Sequence, residues 1–186
     1  SRVGLRRVLS SYLDVAPQEI SLVEGEHGKP SLVTGDLAFN LSHTGDHALV
    51  AVSRQGDLGV DLETIRESAP IEDLALRCFS PEELEQWQRC PSELRVTSFF
   101  HLWAQKEAFL KAHGGGMTIP LKDFDCSVDP AVGSGTIRSR IDGDATKSWR
   151  FIASDLGQDL RFAIVWDGEE KVIFERNPED AGLSRW

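Results

Sequence analysis

The sequence is poor in cysteine, tyrosine and methionine, with three, one and one in 186 residues. Cys78, Cys90 and Cys126 stand far apart and form no Cys-x-x-Cys pair. An odd, scattered set argues against a disulfide framework or a thiolate zinc site, and reads as reduced, mostly buried thiols of a cytoplasmic protein. Positive charge is also short: 20 Lys and Arg face 30 Asp and Glu, a formal net charge of −10. Nucleic acid and anionic membranes want a basic face, so neither is expected as a partner. Any anionic ligand must then be met by a local cluster of Lys, Arg and metal. No run of 18 apolar residues is present, so no membrane-spanning helix is expected, and no signal peptide is visible.

What is there is an ordinary globular composition, 40% hydrophobic and 27% charged, long enough for one domain or two small ones. The first residue is Ser1, and Val3, Leu5, Val8, Leu9 and Tyr12 already recur at near-helical spacing. The chain therefore reads as entering inside a helix, either shortened at its start or a fragment. That helix should end near Leu13, before Asp14 and Pro17. A short strand is expected within Glu19–Glu24. Ala38–Ser42 and Ala48–Ser53 read as strands joined into a hairpin through Gly45, and Leu58–Glu63 as another strand.

The middle of the chain is helical. Ser80-Pro81-Glu82-Glu83 is a capping box with Pro at the first helical position. Ser92 should cap a longer helix that runs to about His113, where three glycines stop it. Thr136–Ile141, Trp149–Ser154, Leu160–Trp166 and Lys171–Phe174 then read as an antiparallel meander, with the last dozen residues as a loose tail. Strands, then helices, then strands make the fold class α+β.

Three groups of residues could carry chemistry. In Gly59-Val-Asp61-Leu-Glu63 the strand period sends Asp61 and Glu63 to one face, with Val60 and Leu62 inward. Two adjacent carboxylates either form a solvated acidic face or share a hard cation such as Mg²⁺ with a substrate's phosphates. In Trp103-Ala-Gln-Lys106-Glu107-Ala-Phe-Leu-Lys111, Glu107 and Lys111 are helical neighbours four residues apart. They make either a surface ion pair or a metal ligand and a phosphate-facing cation, with Lys106 about 100° round the helix. In Phe39-Asn-Leu-Ser42-His43 the histidine either caps its own turn or meets a phosphate. Lys29, after Gly28, is either a phosphate contact or a solvated loop lysine.

The order of these segments is more specific than any one of them. Gly28-Lys29-Pro30, Phe39 to His43, Gly59 to Glu63, Arg77-Cys-Phe-Ser80 and Trp103 to Lys111 together resemble the 4′-phosphopantetheinyl transferases. The likeness is to the larger, surfactin-synthetase-activator type, and it runs from Arg6 to about Phe124. It implies transfer of the phosphopantetheine arm of coenzyme A to a serine of an apo acyl or peptidyl carrier protein, releasing adenosine 3′,5′-bisphosphate. By this resemblance Asp61, Glu63 and Glu107 hold Mg²⁺, for which Mn²⁺ is a possible substitute. His43, with Ser42 and Lys29, contacts coenzyme A at its 3′-phosphate end, while Lys106 and Lys111 face the pyrophosphate. Glu107 and Lys111 are the catalytic pair, acting as base and as stabiliser of the leaving group.

The resemblance also implies two similar α+β halves about a pseudo-twofold axis, residues 1–58 (N-terminally incomplete) and 59–186, with the active site in the cleft between them. It implies a monomer, and a carrier-binding surface within Ile65 to Phe79. Two other functions fit the same residues: a relative that binds coenzyme A or a carrier without transfer, and a metal-dependent phosphohydrolase.

Overall fold

The computed structural model describes residues 2–25, 28–35, 37–54, 56–157 and 159–169. Helix α1 (Arg2–Leu13) buries Leu5 and Leu9 and leaves Val3 exposed. A 3-10 turn at Pro17–Glu19 follows, so the strand expected from Glu19 shortens to β1 (Leu22–Glu24), which pairs with β2 (Pro30–Leu32). The expected hairpin is β3 (Ala38–Thr44) with β4 (His47–Ser53), turning through Gly45. Alternation along β4 serves two cores. Val50 and Val52 pack with Leu5, Leu9 and Phe39, while Leu49 and Ala51 pack with Leu58, Val60 and Trp166.

Strand β5 (Leu58–Thr64) is followed by α2 (Ile71–Cys78), α3 (Pro81–Gln88) and α4 (Arg95–His113). Ser80 and Glu83 make the reciprocal capping bonds at the head of α3. Ser92 does not cap α4: Ser92–Leu94 form a 3-10 turn, the Ser92 hydroxyl donates to the Glu93 carboxylate, and α4 begins at Arg95. It ends, as its sequence dictates, on Gly114 at φ 84°, in the left-handed region that closes helices.

Beyond α4 lie β6 (Phe124–Asp125), β7 (Ser134–Thr136), β8 (Arg138–Ser139), β9 (Trp149–Gly157) and β10 (Leu160–Asp167). The strand expected over Thr136–Ile141 is thus split. The expected meander is also modified: the sheet order is β5-β10-β9-β7, so a strand from before the helices joins beside β10. Lys171–Phe174 and the tail lie outside the described residues. The class is α+β, and the two parts repeat one scheme, α1 on the β3–β4 hairpin and α4 on the β5-β10-β9-β7 sheet.

One buried titratable group sits where α4 meets β10. His101 is fully buried; its Nδ1 lies 3.1 Å from a guanidinium nitrogen of Arg161, and its Nε2 has no partner among the described residues. Burial, reinforced by Arg161, pushes the imidazole down to about 4. The folded state therefore keeps His101 neutral while the unfolded chain protonates it below about 6.5. Stability should fall as pH drops from about 6.5 to about 4, by about 3 kcal/mol in all from this group. Melting curves across that window will check it, with His101→Gln expected to flatten this part of the slope.

Candidate active site

The site is built where the last two turns of α4 lie directly on β5. A Cβ added to Gly59 would fall 2.0 Å from the Ala108 carbonyl oxygen and 2.3 Å from the Ala112 nitrogen, so only glycine permits this approach. The face of β5 that carries Gly59 also carries Asp61 and Glu63, and α4 covers it. Asp61 is consequently 5% exposed, not part of a solvated acidic face, and Lys111 emerges from α4 beside it. The Lys111 ammonium lies 2.6 Å from Asp61 Oδ1. The surface ion pair between Glu107 and Lys111 does not form.

From the other side comes β3, running parallel to β5. The two strands share no main-chain ladder. Side chains of β3 supply the rungs instead: Asn40 Oδ1 accepts from Val60 N–H at 2.8 Å, and Ser42 Oγ accepts from Leu62 N–H at 3.1 Å. The Thr44 and Thr64 hydroxyls meet at 2.9 Å. Ser42 also donates to Asp61 Oδ1 at 3.0 Å and accepts from Lys111 at 3.1 Å. Ser42, Asp61 and Lys111 thus form one cluster at the seam.

Glu63 and Glu107 complete its electrostatics. Burial raises the Glu63 pKa first and the charge of Asp61 second; an indole hydrogen bond from Trp103 at 3.1 Å works the other way. Glu107 is raised by burial and then by Asp61, against the opposing pull of Lys111, and accepts no hydrogen bond from the described residues. Asp61 thus disfavours a second and a third negative charge beside it, on Glu63 and on Glu107. Trp103, given no role by the sequence reading, is what holds Glu63. Its position four residues before Glu107, on the same helical face, is the signal that could have found it.

Two of the expected phosphate-facing lysines have their ammonium groups engaged within the protein. Lys106 does not face the cluster: it is fully buried, its ammonium 2.8 Å from Glu83 Oε2 and donating to the Leu121 and Phe124 carbonyls. All three of its protons are used there, tying α4 to α3 and β6. Lys29 is likewise committed, donating to the carbonyls of Leu58, Lys111 and Ala112 at 3.0, 2.6 and 3.5 Å. It pins the C-terminal end of α4 to the start of β5, where helix carbonyls favour a cation. His43 is exposed, and the pleat sends it to the opposite face of β3 from Ser42.

Among the described residues no three His, Cys, Asp or Glu side chains converge closely enough to hold a metal as they stand. The donor set nonetheless suits a hard divalent cation. Burial and the charge of Asp61 raise both Glu63 and Glu107, and Asp61 Oδ2 is buried with no hydrogen-bond partner among the described residues. Beside Glu63, at the end of β5, a cavity of about 380 Å³ opens between the loop that follows, α2 and α4, lined by Arg66, Pro70, Leu74, Phe99 and Trp103 among others.

Comparison with known proteins places this geometry. The model of the 4′-phosphopantetheinyl transferase superfamily matches residues 57–165, from the start of β5 through β10. The chain belongs to that superfamily. A putative 4′-phosphopantetheinyl transferase of Synechocystis is 33% identical over 185 residues, covering 95% of this chain and 74% of that protein. The 4′-phosphopantetheinyl transferase HetI of Nostoc is 38% identical over 130 residues, 68% of this chain and 54% of its own length. The 4′-phosphopantetheinyl transferase Sfp of Bacillus subtilis is 32% identical over 124 residues, 66% of this chain and 54% of its own. The chain thus spans three quarters of the first of these transferases and about half of the other two. Every residue of the cluster from Asp61 to Lys111 falls inside the segment that the superfamily model matches.

Proposed function

We propose that this chain transfers the 4′-phosphopantetheine arm of coenzyme A to a serine hydroxyl of an apo acyl or peptidyl carrier protein, releasing adenosine 3′,5′-bisphosphate. It does so as a monomer of the surfactin-synthetase-activator type, in the cytoplasm, with residues 1–58 and 59–186 as its two halves about a pseudo-twofold axis. The observation that carries the reading is the Ser42–Asp61–Lys111 cluster at the seam of β3, β5 and α4, with Glu63 on the same strand and Glu107 on the same helix raised by burial and by the charge of Asp61. Three free cysteines suit the compartment.

Asp61, Glu63 and Glu107 are the residues that would hold Mg²⁺, or Mn²⁺ in its place. When bound, the ion supplies neutralisation of the pyrophosphate charge. The rest falls to the chain. The serine oxygen attacks the β-phosphorus, and its proton passes to Glu107, whose raised proton affinity suits it to that role. Lys111 leaves Asp61 to stabilise the departing phosphate oxygen, a charge that develops only as the bond breaks. His43, exposed at the end of β3, contacts the 3′-phosphate. Arg66 and Leu74, which line the cavity at Glu63, lie in the segment from Ile65 to Phe79 that forms the surface for the carrier.

Intact mass of an apo carrier incubated with the chain, coenzyme A and Mg²⁺ tests this directly. The expected result is a gain of one phosphopantetheine that EDTA abolishes. Release of free phosphopantetheine without any carrier would indicate a hydrolase instead. Binding of coenzyme A with no mass gain would indicate a relative that binds without transferring.

A further inference from the structure

A hydroxyl has one proton to give and two lone pairs to receive with. On Ser42, which is 93% buried, all three are committed. The Leu62 main-chain N–H and the Lys111 ammonium both point at its oxygen, at 3.1 Å each. Neither has a lone pair to accept with, so the hydroxyl proton has one destination, Asp61 Oδ1 at 3.0 Å. That oxygen then accepts from both Ser42 and Lys111, while Oδ2 of the same carboxylate is buried and accepts from none of the described residues. The two oxygens of Asp61 are therefore not equivalent; Lys111 and Ser42 together make them so, and Ser42 is the one of the two held by the strand that carries Asp61.

We propose that Ser42 is a positioning residue that fixes the Asp61 carboxylate, saturating Oδ1 from within the protein so that Oδ2 alone is presented to a divalent cation. The one main-chain partner matters here. Leu62 N–H belongs to β5 itself, one residue from Asp61, so the hydroxyl is held by the same strand whose carboxylate it orients. Freed of Ser42, the carboxylate can rotate and Lys111 can bridge both oxygens, closing the position the cation needs. This deepens the transferase reading and rests on its assignment of Asp61 as a cation ligand. It replaces a direct contact between Ser42 and coenzyme A with an action through Asp61.

The test measures binding, apart from turnover. Mn²⁺ affinity of the 186-residue chain is read by electron paramagnetic resonance with and without coenzyme A, and coenzyme A affinity is read separately in EDTA. Ser42→Ala is expected to weaken Mn²⁺ binding by about tenfold or more, the usual scale for losing a partner of a ligand, and to leave coenzyme A affinity in EDTA unchanged. Ser42→Ala also strips Leu62 N–H of its partner, so Ser42→Cys, close in shape but a poor hydrogen-bonding group, stands in if the first variant does not fold. It is expected to weaken Mn²⁺ in the same direction. Unchanged Mn²⁺ affinity in a folded variant overturns the proposal, as does a loss of coenzyme A affinity in EDTA with Mn²⁺ binding intact. Failure of the parent chain to bind Mn²⁺ at all overturns the cation reading of Asp61, and this proposal with it.

Discussion

Gly59→Ala is expected to unfold the protein or destabilise it by roughly 3–5 kcal/mol. The new methyl carbon would sit 2.0 Å from the Ala108 oxygen and 2.3 Å from the Ala112 nitrogen. Both are main-chain atoms, so no side-chain rotation relieves the clash. The helix has to lift from the strand, and the packing that holds it is close on every side: Ala108 and Ala112 are already the small residues of that contact, at 0% and 1% exposure. Lifting α4 also separates Lys111 from Asp61 and breaks the hold of Lys29 on the helix end. Urea or thermal unfolding measures the cost, with Gly133→Ala as the control. There an added Cβ would meet the Ala153 oxygen at an ordinary 3.6 Å, and the change should stay within about 0.5 kcal/mol. Near-parent stability for Gly59→Ala would show that β5 and α4 are not in such close contact.

Glu107→Gln should do the opposite, keeping the fold and removing the chemistry. The amide has the shape of the carboxylate, and Glu107 accepts no hydrogen bond from the described residues that an amide would break. Burial already disfavours its charge, so removing that charge is not expected to destabilise. An amide cannot take up the serine proton and is a poorer partner for a hard cation. Transfer to the carrier is expected to slow by about a hundredfold or more, the range a general base contributes. The rate of mass gain in the carrier, with a melting curve alongside, reads both halves of the statement. Normal turnover with a normal fold would remove Glu107 from both roles.

How much of this could be read from the sequence depended on how local the cause was. The capping box at Ser80, the stop of α4 at Gly114 and the β3–β4 hairpin are decided by residues within a few positions of each other, and they stand as expected. The start of α4 shifted by three residues because Ser92–Leu94 wind into a 3-10 turn ahead of it. The insertion of β5 beside β10 is a pairing across a hundred residues, for which alternation along either strand holds no signal.

The candidate site divides the same way. A strand period puts Asp61 and Glu63 on one face and a helix period does the same for Glu107 and Lys111, and α4 lying on β5 brings Lys111 to Asp61. Lys106 and Lys29 could not be separated from phosphate contacts by such reasoning. A lysine in the core is visible only through its partners, and those of Lys106 lie on α3 and around β6. Lys29 reaches a helix end more than eighty residues away.

The seam between β3 and β5 carries one more implication. A main-chain ladder is indifferent to which residues form it, so neighbouring strands can slip by two and still bond. Here alignment is spelled by side chains, with Asn40, Ser42 and Thr44 each answering the position twenty further on. A slipped joint would lose its rungs and, in the same movement, take Ser42 away from Asp61. Assembly and competence are therefore checked by the same three letters, and a wrongly joined molecule would be silent instead of half active.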